Sequence, residues 1–259
     1  MTATVRRILI YPIKSLDPVP VSGAAVLGSG ALARDREFAL TDDEGRVING
    51  KREARIHCVR SEFDLENNRV SLRSSPEGAP ESFHLVEDRS RIEGWFSAFL
   101  GFRAHLERNT DTGFPDDLES PGPTVCSGLT FNAVGAWFGL QREETSRRFR
   151  VNIELETDAP FWEDRLFSGT GAPLPFAIGG VRLSGVNPCQ RCAVPSRDSR
   201  TGIARQDFQR EFMERRKATL PEWAAASRFD HYYRLSVNTR IPATEAGKMI
   251  SVGDPVTLG

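Results

Sequence analysis

Phe176-Ala177-Ile178-Gly179-Gly180-Val181-Arg182-Leu183-Ser184 is two short β-prone runs turned on a glycine pair. It leads into Asn187-Pro188-Cys189-Gln190-Arg191-Cys192-Ala193-Val194-Pro195. The first part predicts a β-hairpin, because Gly-Gly between apolar runs suits a tight turn. The second predicts a loop, because Pro195 stops a helix from running on from the cysteine pair.

The same grammar extends outward. Apolar runs at 5–11, 37–41, 47–48, 56–60 and 70–73 predict short strands, with a turn over Asp42-Asp43-Glu44-Gly45. Strands are also predicted at 151–156, 232–237 and 255–258. Helical spacing of apolar residues marks 91–100, closed by Gly101, and 130–140, capped by Ser127 or Thr130. Residues 161–167 predict a helical turn, and 208–217 a polar surface helix. Residues 111–123, rich in Asp, Gly and Pro, predict a linker or crossing loop between domains. The expected fold class is mainly β with some helices, α+β, in two packed domains.

Composition narrows the function. The 259 residues include 34 Lys and Arg against 35 Asp and Glu, a formal charge of −1. That balance gives no pull toward nucleic acid or an anionic membrane, so neither is expected as a partner. No stretch approaches the roughly 20 apolar residues of a bilayer span. The apolar run before Pro12 is too short for a secretory leader. Four cysteines are too few for a disulfide scaffold, so a reducing, cytoplasmic setting is expected. The absence of a coiled coil or long apolar stripe points to a monomer.

Three chemistries compete for the cysteine loop. A redox pair wants its first cysteine at a helix N-terminus. A structural zinc site wants four ligands, usually two such pairs. A single thiolate beside Arg191 would be a soft ligand for a thiophilic metal. Two small buried cysteines with no chemistry are the plain alternative.

Five motifs then resemble one family in the right order. These are Tyr11-Pro12-Ile13-Lys14-Ser15, Asp35-Arg36, Phe149-Arg150-Val151-Asn152, Cys189-Gln190-Arg191-Cys192 with Asp198 and Thr201-Gly202, and Val252-Gly253-Asp254-Pro255-Val256. The family is that of MOSC domains, and the likeness is to its mitochondrial amidoxime-reducing components and their bacterial relatives. Val151 stands where the family motif has Pro.

The resemblance implies an N-terminal β-barrel domain over 1–118 packed on a C-terminal MOSC β-barrel over 119–259. It implies the molybdenum cofactor, a molybdopterin, with Cys192 as metal ligand and catalytic residue. The cofactor-binding positions it implies are Lys14, Ser15, Arg36, Ser127, Thr130, Arg150, Asn152 and Arg191. The implied activity is an oxidoreductase acting on a small N-hydroxylated substrate. The membrane anchor of the mitochondrial members and the fused ferredoxin-like domain of some bacterial relatives are expected to be missing. Electrons would come from a separate ferredoxin-, flavodoxin- or cytochrome-type carrier and its reductase. The alternative it leaves open is a cofactor carrier or sulfur-relay module, with Cys189 or Cys192 holding a persulfide.

Overall fold

The computed structural model describes residues 3–75 and 78–259. Strand β1 (Ala3–Ile10) opens the chain, followed by β2 (Val19–Val21), β3 (Gly23–Ala25) and β4 (Phe38–Thr41). Strands β5 (Arg60–Asp64), β6 (Arg69–Arg73) and β7 (Glu81–His84) form an antiparallel three-stranded sheet. Helix α1 (Arg89–Leu100) buries Ile92, Phe96 and Leu100 and stops at Gly101, whose φ of 74° closes the helix as expected. Strand β8 (His105–Arg108) pairs with β4. These elements enclose a core running from Ile13 to Leu106.

The second half begins with β9 (Val125–Ser127), α2 (Gly128–Phe138) and α3 (Arg142–Phe149). It continues through β10 (Ile153–Glu156), β11 (Leu174–Ile178) and β12 (Val181–Gln190), then α4 (Phe208–Ala218), β13 (Arg234–Arg240), β14 (Met249–Ser251) and β15 (Pro255–Leu258). The ladder runs β10, β9, β13, β12, β11, β15, β1 and returns from β1 to β10, so a barrel closes on itself; β2 hangs on β1. With seven strands in the ring, alternating directions cannot close without one parallel pair. That pair is β9 with β10. A parallel pair needs a crossover connection, which α2 and α3 supply.

The hairpin of β11 and β12 turns on Gly179-Gly180 as predicted. Three local expectations change. Residues 56–60 are not one strand: Glu53 accepts a hydrogen bond from Arg55 N and starts a 3-10 turn, Ala54–Cys58, before β5. Residues 47–48 make only an isolated bridge, Val47 to Thr41, on the edge of β4 away from β8. Helix α4 is not purely superficial: Phe208, Phe212 and Arg216 are buried.

The expected domain division is crossed by the chain. Strand β1 belongs to the barrel of the second half, and β3 pairs with β14. The barrel core accordingly takes Ala3, Val5, Ile8 and Ile10 alongside Val125, Ile153 and Val237. No helix among the described residues is long and apolar enough to cross a membrane.

Candidate functional site

One side of the barrel gathers the ends of β1, β9 and β10. Ile8 faces Ile153, Ile153 faces Val125, Val125 faces Val237, and Gln190 faces Arg234. The exit of β1 and the entries of β9 and β10 therefore open on the same side, and the antiparallel β12–β13 pair brings Gln190 and Arg234 beside that opening. The first domain packs over that opening, leaving a cleft of about 530 Å³. Its walls include Lys14, Ser15 and Arg36 from one domain and Arg150, Arg191 and Cys192 from the other. Cationic side chains predicted from distant parts of the chain meet here.

Each is placed by a specific local device. Lys14 follows β1, and its backbone N–H donates to Phe38 O at 2.8 Å. Its Nζ donates to Phe114 O at 2.9 Å and pairs with Asp116 at 3.0 Å. The 111–123 segment is thus an ordered crossing loop that completes the cleft. Burial lowers the Lys14 pKa, with Asp116 opposing that shift.

Arg36 donates its backbone N–H to Tyr11 O at 2.7 Å, and its guanidinium pairs with Asp35 at 2.5 Å. The guanidinia of Arg36 and Arg150 lie 5.6 and 4.2 Å from the centre of the buried Tyr11 ring. Arg150 is the residue after α3, at φ 53°. Ser15 (φ 75°) and Arg36 (φ 51°) are left-handed as well. Such backbone costs a non-glycine residue about 1 kcal/mol. Three such residues lining one cleft mark it as a place where stability yields to arrangement. Among the described residues, Arg150 has no carboxylate in ion-pair range, unlike Lys14 and Arg36. Burial lowers its pKa.

The cysteine loop lies opposite. Cys192 is half-buried and accepts a hydrogen bond from Val194 N at 3.5 Å. Arg191 donates from Nη1 to Cys189 Sγ at 3.2 Å and from Nη2 to Phe149 O. The cation expected beside Cys192 is therefore bonded to Cys189, which faces the same cleft. Burial opposes the charge of Arg191, but the two thiols hold its pKa above the ordinary value. All four cysteines are free, and among the described residues no three His, Cys, Asp or Glu side chains converge as a metal cluster.

Three predicted contacts turn away from the cleft. Ser127 is fully buried; its hydroxyl caps α2 by accepting from Leu129 N at 3.1 Å and meets Thr157 at 2.6 Å. Thr130, also fully buried, donates to Glu163 at 2.9 Å and accepts from Phe161 N at 2.6 Å. Asn152 braces the barrel end, donating to Leu9 O at 3.1 Å and accepting from Thr124 N at 3.3 Å. Their hydroxyls and amide are committed to neighbouring protein groups.

Cleft residues missed in the sequence include Asn49, Lys51, His57, Asn187, Arg234 and Asn238. Asn187 and Asn238 are register partners on β12 and β13, and Asn187 Oδ1 is buried without a hydrogen-bond partner. Asn187 stands two residues before Cys189 in a strand, a polar side chain where the pleat gave no outward reason for one. That was the available signal. Burial and nearby Arg150 hold the His57 pKa below its ordinary value, so it stands neutral.

A closed barrel capped by a second domain, with a thiol and cations from both domains around one cleft, defines a two-domain β-barrel protein with a cationic, thiol-bearing cleft. The sequence matches the MOSC N-terminal beta barrel domain over residues 2–102 and the MOSC domain over residues 132–257. The chain belongs to the MOSC family.

Its relatives include human mitochondrial amidoxime reducing component 2, 24% identical over 242 residues, covering 77% of this chain and 68% of that protein. Mouse mitochondrial amidoxime-reducing component 1 is 24% identical over 294 residues, covering 98% and 82%. Human molybdenum cofactor sulfurase is 23% identical over 266 residues, covering 83% of this chain but only 29% of the sulfurase.

Proposed function

We propose that this chain is a molybdenum-cofactor-binding oxidoreductase that reduces N-hydroxylated compounds, such as amidoximes and hydroxylamines, with electrons from a separate carrier protein. One observation carries the reading: the Cys192 thiol opens on a cleft where Arg150 has, among the described residues, no carboxylate in ion-pair range. The named relatives support the class of cofactor.

The residues fit such a group. Arg150 and Lys14 are cations whose pKa values are lowered by burial, and an anionic phosphate would offset that cost. Ser15 and Arg36 add a hydroxyl and a planar donor on the same wall. Asn187 Oδ1, buried and unpartnered, is free to accept from a pterin N–H. Cys192 supplies the soft sulfur that binds molybdenum.

When bound, the cofactor supplies two-electron oxygen-atom chemistry at its metal. The chain's own residues do the rest. Arg150, held over Tyr11, fixes the anionic end. Val194 N–H, donating to Cys192 Sγ at 3.5 Å, helps hold that sulfur toward the cleft. Arg191, tethered to Phe149 O and Cys189, stiffens the loop that presents Cys192.

Reduction of benzamidoxime by chemically reduced viologen, using protein from a cofactor-competent host, tests the activity. The wild type should turn over and Cys192→Ser should not; equal rates would remove Cys192 from the chemistry. The position of Cys189 on the same wall favours a second reading, a carrier or sulfur relay. A stable adduct of about 32 Da on a cysteine, with no bound metal, would support it.

A further inference from the structure

Adjoining the cleft, and sharing Ser15, His57, Arg148, Arg150 and Val194 with its wall, is a narrow void of about 20 Å³ between the domains. Its walls carry five guanidinia: Arg60 from the first domain, and Arg147, Arg148, Arg150 and Arg197 from the second. Asp17 is the acid in the wall. It pairs with Arg60 at 2.7 Å and with Arg147 at 3.3 Å. Arg148 is satisfied from outside the void by Glu144 at 2.6 Å and Asp198 at 3.4 Å. Five cations therefore face three carboxylates.

The surplus falls on Arg150 and Arg197, neither of which has a carboxylate in ion-pair range among the described residues. Arg197 donates from Nη1 to Gly202 O at 3.0 Å, while its Nε is buried with no partner. Uncompensated buried charge is costly, and a buried donor without a partner calls for an ion or water. A water would satisfy the donor but leave the charge. An anion satisfies both.

We propose that this void binds a small monovalent inorganic anion of the chloride class. Its size sets the class. A space of about 20 Å³ holds something close to a single water in bulk. Chloride fits that limit, whereas a phosphoryl group with its four oxygens does not. The walls come from both domains, so the anion draws the two together and steadies Arg150. The proposal goes beyond the cofactor reading, because it needs neither metal nor pterin.

The test uses the purified full chain in sodium chloride and in sodium gluconate at equal ionic strength. Gluconate is too large for the void. Chloride should raise the melting temperature saturably, by about 2–4 °C, over matched gluconate. Crystals soaked in sodium bromide should show an anomalous peak between Arg150 and Arg197. Arg197→Gln should abolish the chloride-specific rise and the peak, and Arg197→Lys should retain the rise in part. Equal melting in the two salts, bromide found only on the outer surface, or an unchanged response in Arg197→Gln would overturn the proposal. Molybdenum content, measured on the same preparation, reports separately on the cofactor reading.

Discussion

Arg150 rests its guanidinium 4.2 Å from the centre of the Tyr11 ring, so the residue that ends β1's extension supports the cation that precedes β10. Both strands belong to the barrel, but the Tyr11 segment continues directly into Lys14 and Ser15. One aromatic ring thus couples the two cationic walls. A desolvated cation–π contact contributes about 2 kcal/mol. Tyr11→Phe keeps the ring and loses only the bond to Val151 O; it should hold molybdenum near the wild-type level. Tyr11→Leu should hold markedly less. Metal analysis of both variants checks this, and equal content would show that the ring does not position Arg150.

Arg150 combines a left-handed backbone with an unpartnered cation. Both features cost stability and are expected where arrangement matters more. Relief of the backbone offsets about half of the lost ring contact, so Arg150→Gly should unfold within about 1 kcal/mol of the wild type, while its bound molybdenum falls at least tenfold. Denaturant titration and metal analysis on one preparation measure the two effects. A large loss of stability would mean that the guanidinium is a structural brace.

Glu163 gives a pH prediction. Its carboxylate is buried and accepts from Cys126 Sγ at 3.1 Å, Ser127 N at 3.1 Å and Thr130 at 2.9 Å. Burial, aided by neighbouring Asp164, pushes its pKa up to about 7 from 4.5. Between those values the folded state keeps a proton that the unfolded state has lost, so stability falls as pH rises from about 4.5 to 7 and then levels. The full effect is on the order of 3 kcal/mol. Glu163→Gln should flatten this part of the pH–stability curve. Urea titrations at pH 5 and pH 8 measure it, and an unchanged slope would contradict the assignment.

Asp164 and Arg216 form a buried ion pair, and Arg216 also lies 4.1 Å from the Phe161 ring centre. Removing one partner strands the other charge. Asp164→Ala should lose about 3–5 kcal/mol by denaturant unfolding. A loss below 1 kcal/mol would show that the arginine finds another outlet.

Much of this was legible in the sequence, and the rest failed for identifiable reasons. The turn at Gly179-Gly180 and the stop at Gly101 follow from backbone freedom, which is local. The hydrophobic register of β1 was equally local, but its partners, β10 and β15, lie about 150 and 250 residues away, so its membership of the second barrel was not readable. Helix α3 was missed because Arg142–Phe149 carries almost no apolar periodicity. It is held instead by ion pairs such as Glu144 with Arg148. Cys192, Lys14, Arg36 and Arg150 came together as expected. Ser127, Thr130 and Asn152 did not, because a short polar side chain next to a strand end serves a cap or a brace as readily as a ligand.

The proposed function requires that sulfur from Cys192 reach molybdenum in the cleft. X-ray absorption at the molybdenum edge, on protein from a cofactor-competent host, measures that directly. The wild type should show three sulfur neighbours, roughly 2.4 Å away: two from the cofactor and one from the chain. Cys192→Ser should show two. Three sulfurs in the variant, or no molybdenum in the wild type, would contradict the account.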